Sequence, residues 1–246
     1  TVRQAWNFSG GSKARVRQED CTGCGLCQEL CRFEAIRGDR EGGFFVDPIA
    51  CEGCGLCHDH CPVQAIELVD PIEGTWSVSD TAYGPMVHAR LGPGESNSGK
   101  LVTLVRRESK ALAQLEGREL VLVDGSPGIG CPVMASLTDA AMALIVTEPS
   151  VAGIHDLRRV ATLCEQLKIP ACVAINKFDL HPESSAQIEE VAKQSNLPIV
   201  GRIRYDAAVT RAQIQHKPVV DLGPGMAEQD IRQLWKNLCQ ELNLDA

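Results

Sequence analysis

The sequence predicts an α/β protein in which a doubly wound, mostly parallel sheet carries a small α+β unit rich in cysteine. Three observations predict it. Two cysteine runs, Cys21-x-x-Cys24-x-x-Cys27-x-x-x-Cys31 and Cys51-x-x-Cys54-x-x-Cys57-x-x-x-Cys61, repeat at an offset of thirty residues. From Gly99 onward, short apolar runs alternate with helical patterns, as buried parallel strands covered on both faces do. Polar loops follow two of those runs, and open α/β sheets bind ligands beyond the carboxyl ends of their strands.

The 246 residues suffice for one medium domain with a small insert. A net charge of −8 argues against nucleic acid or an anionic membrane surface as the main partner. No apolar run reaches membrane-spanning length and no signal peptide opens the chain. Its first residue is Thr1 rather than Met.

Taken in order, residues 13–71 form the cysteine-rich unit, with short strands around Ala14–Arg17, Phe44–Val46 and Ile66–Val69 and a half-turn of helix after each triple-Cys loop. Residues 72–246 form the second domain, to which residues 1–12 also belong. Within it Thr75–Ser79 and Met86–Leu91 read as strands, and 92–98 as a loop. Leu101–Leu115 reads as helix, Leu120–Val123 and Ala143–Val146 as strands, and Val151–Leu167 as helix. Ala171–Ile175 is a strand, Pro182–Gln194 a helix that proline can open, and Ile199–Arg202 a strand. The last helix has an apolar face of Ile231, Leu234, Trp235, Leu238 and Leu242.

Residues 21–36 and 51–66 share nine of sixteen positions, including Gly23/Gly53, Gly25/Gly55, Leu26/Leu56 and Ala35-Ile36/Ala65-Ile66, so the unit is an internal duplication. Its spacing is that of bacterial-type ferredoxins with two [4Fe–4S] clusters, in which the fourth Cys of each run serves the other cluster. The predicted ligands are therefore Cys21, Cys24, Cys27 and Cys61 for one cluster, and Cys51, Cys54, Cys57 and Cys31 for the second. Zinc sites use two separated pairs and leave the third Cys surplus. Disulfides suit short secreted chains rather than this one. Arg32 stands where a proline is expected after the first run, which removes a helix stop but no ligand. Cys164, Cys172 and Cys239 read as core residues, whereas Cys131 lies in a glycine-rich loop.

Three loops qualify for further chemistry. Asp124-Gly-Ser-Pro-Gly128-Ile-Gly130 follows the run ending at Val123. Asp124 there can hold a magnesium-bound water while the glycines admit a phosphate, or the segment is a tight turn. Asn176-Lys177-Phe178-Asp179 follows the next strand but one, and can read a purine edge or simply enter a helix. Gly94–Lys100 matches the first seven positions of a phosphate-binding P-loop, but Leu101 occupies the eighth, where a magnesium-ligating Ser or Thr is required. Lys100 can still meet an anion at the helix start. His58, His60, His88 and His155 form no ligand set.

With these motifs the chain resembles MinD/ParA-type P-loop ATPases carrying an inserted two-cluster ferredoxin domain, a group that includes the cobyrinic acid a,c-diamide synthase-like proteins. The resemblance spans the ferredoxin insert, "NSGKLVTLVR", "LVLVDGSPGIGCPV", "LIVTEPSVAGIHDLRRV" and "INKFDL". It implies a P-loop-type sheet, ATP and Mg²⁺ as cofactors, Asp124 and Gly128 as the metal- and γ-phosphate-sensing switch, and Asn176, with Lys177 and Asp179, at the base. Such proteins carry their Walker A loop before the insert, and Gly10–Lys13 is too short to be one. The N-terminal part of the sheet is therefore expected to be missing because the sequence starts mid-protein, the alternative being a variant without an ATPase engine.

The leading expectation is a cytoplasmic redox ATPase, in which nucleotide turnover is coupled to electron transfer to a partner protein. It would act as a homodimer or paralogous heterodimer, without nucleic acid or a membrane span. Two other expectations stand beside it: a non-catalytic electron-transfer module, and an iron–sulfur carrier or assembly factor. ATP against GTP is open, since Asn176-Lys177-x-Asp179 also suits guanine.

Overall fold

The computed structural model describes residues 1–39, 42–95 and 99–244. Contacts divide it into two units, Thr1–Asp124 and Gly125–Ala246.

The first unit begins with β1 (Val2–Phe8), whose partner lies some seventy residues further on. β2 (Lys13–Val16), α1 (Leu26–Leu30), β3 (Ile36–Gly38), β4 (Phe44–Val46), α2 (Leu56–Asp59) and β5 (Ile66–Val69) make up the cysteine-rich part. β6 (Gly74–Thr81), β7 (Gly84–Leu91) and α3 (Gly99–Leu115) follow. β1, β6 and β7 form one antiparallel sheet, with Phe8 opposite Gly74 and Trp6 opposite Trp76. The two indoles stack with centroids 4.1 Å apart and planes 14° from parallel, an offset aromatic pair of the kind that stabilises a ladder face. Ser79 Oγ and His88 Nε2 share a 2.8 Å hydrogen bond on the opposite face, where both Ser77 and Ser79 are buried. Residues 13–69 are thus an insertion between two paired strands. Inside that insertion β2 pairs β5 and β3 pairs β4, both antiparallel, around a small core of Ala14, Ala35, Cys51 and Ile66. β2 and β5 therefore join the two ends of the segment, while β3 and β4 form a hairpin in its middle.

The second unit contains α4 (Cys131–Leu137), β8 (Ala143–Thr147), α5 (Val151–Leu167), β9 (Ala171–Asn176), α6 (Pro182–Gln194), β10 (Ile199–Ile203), α7 (Ala207–Ile214), a 3-10 turn at Val219–Asp221, and α8 (Met226–Leu242). Its sheet is parallel, in the order β10-β9-β8. One face carries Ile145, Val173 and Ile175 against Ile154, Leu157 and Cys164 of α5 and Ile188 and Val191 of α6. The other face carries Cys172 and Val200 against Leu234, Leu238 and Leu242 of α8. Near-continuous apolar strands are what burial on both faces demands, and the doubly wound architecture is observed. α5 starts at Ser150, whose side chain accepts the Gly153 amide, and stops at Lys168 in a left-handed conformation.

Two differences from the sequence reading stand out. Leu120–Val123 is not a strand: these residues are 38–80% exposed and carry no ladder among the described residues. An apolar run becomes a strand only where a neighbour takes its backbone hydrogen bonds. Trp235 of α8, placed on the apolar face by its spacing, is 42% exposed. No helix among the described residues is long and apolar enough to cross a membrane.

Candidate metal centres and strand-end loops

The eight repeat cysteines line two pockets. Cys21, Cys24, Cys27 and Cys61 line one, together with Val16, Leu26, Phe44 and Ile66. Cys31, Cys51, Cys54 and Cys57 line the other, together with Ala14, Phe33, Ile36 and Val46. Each pocket thus takes three thiols from one run and the fourth from the other. The strand pairing produces this exchange, because β2 of the first half runs beside β5 at the end of the second.

Local geometry explains why each run folds so. Gly25 and Gly55 take left-handed conformations and start α1 and α2, which turns the third thiol of each run inward. Gly23 and Gly53 are also left-handed, with φ of +70° and +64°. A Cβ at Gly23 would stand 2.8 Å from the Gly42 carbonyl oxygen, and one at Gly53 would overlap the Ser12 carbonyl oxygen. Only glycine lets the loop pass this close to the strand behind it. The Ala35 amide donates to Cys31 Sγ and the Ala65 amide to Cys61 Sγ, each at 3.3 Å.

The thiols differ in exposure. Cys24 and Cys54 face solvent, while Cys51 is buried. Burial pushes the Cys57 thiol up to about 11 and raises that of Cys27, offset in part by the neighbouring backbone amides of His58 and Gln28. Four soft sulfur donors around an apolar pocket fit the ligand set of an iron–sulfur cube, whose iron takes the thiolate form.

In the second unit, the carboxyl ends of the three parallel strands gather a separate group. Asn176 ends β9. Lys177 has a φ of +54° and its ammonium pairs with Glu148, just beyond β8, at 3.1 Å. Asp179 Oδ1 accepts the Tyr205 amide at 2.7 Å, which ties the loop after β9 to the loop after β10. Asp206 caps α7, accepting the Ala208 amide at 2.8 Å and the Ala227 amide at 3.2 Å, and these donors hold its carboxyl below the usual range. Sequence reading passed over Glu148, Tyr205 and Asp206. The signal was there: Arg204-Tyr205-Asp206 follows an apolar strand just as Asn176-Lys177 does. Arg204 is itself fixed by two bonds to the Asp230 carboxylate, at 2.8 and 2.7 Å.

The remaining predicted residues are dispersed. Asp124 ends the first unit. Gly128 lies in the coil before α4, with a φ of +87°, and Cys131 is the exposed first residue of that helix. Ser96, Asn97 and Ser98 of the P-loop-like segment lie outside the described residues. Lys100, in the first turn of α3, donates to the Gly10 carbonyl at 2.6 Å. Leu101 is only 5% exposed and belongs to the core.

Residues 4–68 match the family described as "4Fe-4S dicluster domain". The chain is 37% identical over 146 residues to the uncharacterized protein MJ0578 of Methanocaldococcus jannaschii, which spans 59% of this chain and 49% of that one. It is 31% identical over 97 residues to MJ0579 of the same organism, across 39% of this chain and 35% of that one. The chain thus spans about half the length of the first of these relatives and about a third of the second. Among solved structures, the MinD cell division protein of Aquifex aeolicus superposes with a TM-score of 0.52 and 20% identity, over 67% of this chain and 69% of that one. MinD in the MinC:MinD complex of that organism gives 0.51 and 20%, over 67% of each chain. At this identity the likeness concerns the fold. The chain thus joins a segment that matches a 4Fe-4S dicluster domain to an α/β fold like that of MinD.

Proposed function

From a dicluster iron–sulfur domain joined to a MinD-type fold, we propose that the chain is a redox protein whose two [4Fe–4S] clusters exchange electrons with a partner protein under the control of a bound nucleotide. Cys21, Cys24, Cys27 and Cys61 hold one cluster, and Cys51, Cys54, Cys57 and Cys31 the other. The exchange of the fourth thiol between two apolar pockets is the observation that carries this reading. When bound, the clusters supply low-potential one-electron chemistry.

The chain's own residues set the conditions. Phe44 and Ile66 in one pocket, and Ile36 and Val46 in the other, give the thiols an apolar surround. The Ala35 and Ala65 amides stabilise added negative charge on sulfur. Cys24 and Cys54, exposed at the rim, mark where a partner protein approaches.

The nucleotide reading rests on the position of Asn176 and Lys177 at the carboxyl end of a parallel strand, where such sheets bind ligands; ATP·Mg²⁺ is the ligand, and the family resemblance assigns the switch to Asp124 and Gly128. The crowded thiols suit a reducing, cytoplasmic setting. The test is anaerobic reconstitution with iron and sulfide, followed by ATP hydrolysis with the clusters oxidised and then reduced. Equal rates in both states refute the coupling.

A second reading, a non-catalytic electron-transfer module, is favoured by one observation. Leu101 is buried in the core at the position where a magnesium-binding hydroxyl would be required. Equilibrium binding of labelled ATP and GTP separates the two, since tight magnesium-dependent binding excludes the second.

A further inference from the structure

The two halves of the repeat differ in charge, and we propose that Lys13 makes the cluster of Cys51, Cys54, Cys57 and Cys31 the easier of the two to reduce. The inference rests on the dicluster reading and adds an order of electron entry to it.

The offset of thirty residues pairs Ser12 with Gly42, Lys13 with Gly43 and Ala14 with Phe44. The coordinates obey the same equivalence. The missing side chain of Gly53 faces the Ser12 carbonyl, and that of Gly23 faces the Gly42 carbonyl. The residue after each of these carbonyls is therefore in the same place relative to one pocket. At the second pocket that residue is Lys13, whose ammonium donates to the Cys51 carbonyl at 2.8 Å and whose side chain is only 20% exposed. At the first pocket it is Gly43, and the space is filled by the Gln18 amide and by the Asp39 carboxylate, whose Oδ1 accepts the Gly43 amide at 2.7 Å and whose Oδ2 lies 2.9 Å from where a Cβ on Gly43 would stand. A Cβ on Gly43 would stand 2.8 Å from Gln18 Oε1, and Gln18 Nε2 donates to the Phe44 carbonyl at 2.6 Å. A cation at one pocket is thus matched by a neutral amide and a carboxylate at the other, and both differences favour reduction at the second pocket.

Two carboxylates bear on the same pocket. Glu52 lines it, but is exposed, so water and salt screen its charge. Glu73 lies 3.9 Å from the Lys13 ammonium and accepts the Gly10 amide at 2.8 Å, which offsets part of the lysine's field. The ammonium is the charge bonded directly to the ligand loop. Reduction adds one negative charge to a cluster, and a shielded cation at hydrogen-bond distance from its loop favours the reduced form.

The test is an anaerobic redox titration of the full chain followed by electron paramagnetic resonance. Wild type should give two midpoint potentials, and a Cys54→Ala variant should retain only the lower. In Lys13→Met the upper potential should fall by about tenfold in the one-electron equilibrium, or ~59 mV, while the lower stays fixed. Glu73→Gln should move the upper potential the other way, and it decides the matter if Lys13→Met loses iron. A single unresolved wave in wild type, an equal shift of both waves, or no shift in either variant overturns the proposal. Iron far below the roughly eight per chain that two cubes require, in wild type itself, overturns the dicluster reading instead.

Discussion

Replacing Gly53 by alanine forces a methyl group into the Ser12 carbonyl, and three left-handed glycines of the same module allow the cost to be taken apart. Gly42, with a φ of +87°, has open space around the position of a Cβ, so Gly42→Ala carries only the left-handed penalty of about 1–2 kcal/mol. Gly23 has a similar φ, and its Cβ would stand 2.8 Å from the Gly42 oxygen, a few tenths of an ångström too close. A small shift of that loop relieves it, for a total of about 2–3 kcal/mol. At Gly53 the overlap is far deeper, and the obstructing oxygen belongs to the residue before β2. Because β2 is locked in register from Lys13↔Val69 to Val16↔Ile66, the carbonyl cannot retreat without breaking that ladder. Gly53→Ala should cost about 4 kcal/mol or more, the range of disruptive substitutions. The assay is the urea concentration that bleaches the visible absorbance of the reconstituted chain, with bound iron counted alongside. The expected order of resistance is wild type, Gly42→Ala, Gly23→Ala and Gly53→Ala, with Gly53→Ala retaining little iron. Equal behaviour of Gly53→Ala and Gly42→Ala would show that backbone conformation alone governs these sites, and the contact argument would fail.

Three further outcomes are expected. Cys31→Ala should disturb the cluster served by Cys51, Cys54 and Cys57, and Cys61→Ala the other; comparing the resonance signals of each variant with those of Cys54→Ala and Cys24→Ala checks the exchange, and an uncrossed pattern contradicts it. Asp230→Asn should destabilise the second unit at neutral pH, because the Arg204 guanidinium holds that carboxyl below its ordinary value. That contribution is complete above the unfolded carboxylate pKa of about 3.9 and is lost as pH falls through the lower folded value. The difference in urea midpoint from wild type should therefore close on acidification, and a constant difference counts against the pair. Ile188→Ala, at a position with 0% exposure between α6 and the sheet, should cost about 2–5 kcal/mol by denaturant titration while the iron content stays at the wild-type value.

Some of this was legible in the residues because the determining interactions are local. The ends of Val151–Leu167 and Pro182–Gln194 are written beside them, in Ser150 as a cap and Pro182 at a helix start. The spacing of the cysteines brings three thiols together without help from the rest of the chain. What escaped depends on distant partners. β1 is a strand because Asn7 meets Thr75 and Ala5 meets Ser77, and nothing in Val2–Phe8 announces that meeting. Leu120–Val123 has strand composition but no ladder, so the same reasoning misleads in the opposite direction. Lys13 carries no signal in its own segment, and its role emerges only where β2 lies beside β5 and its side chain reaches the Cys51 carbonyl. Asp179 reads as a base-contacting residue, yet its carboxylate already holds the backbone of Tyr205.

The path of the chain around Phe8 and Gly74 has an engineering consequence. These residues are opposite one another across the β1–β6 ladder, and the Glu73 amide donates to the Phe8 carbonyl at 2.9 Å. The cysteine-rich module accordingly leaves and rejoins its host at a single rung, like an oversized tip on a two-stranded ribbon. It can be treated as a cassette: a short turn grafted between Ser9 and Glu73 would close the ribbon without altering the pairing that follows. Conversely, any scaffold with an antiparallel pair of matching width offers a socket for the cysteine-rich segment.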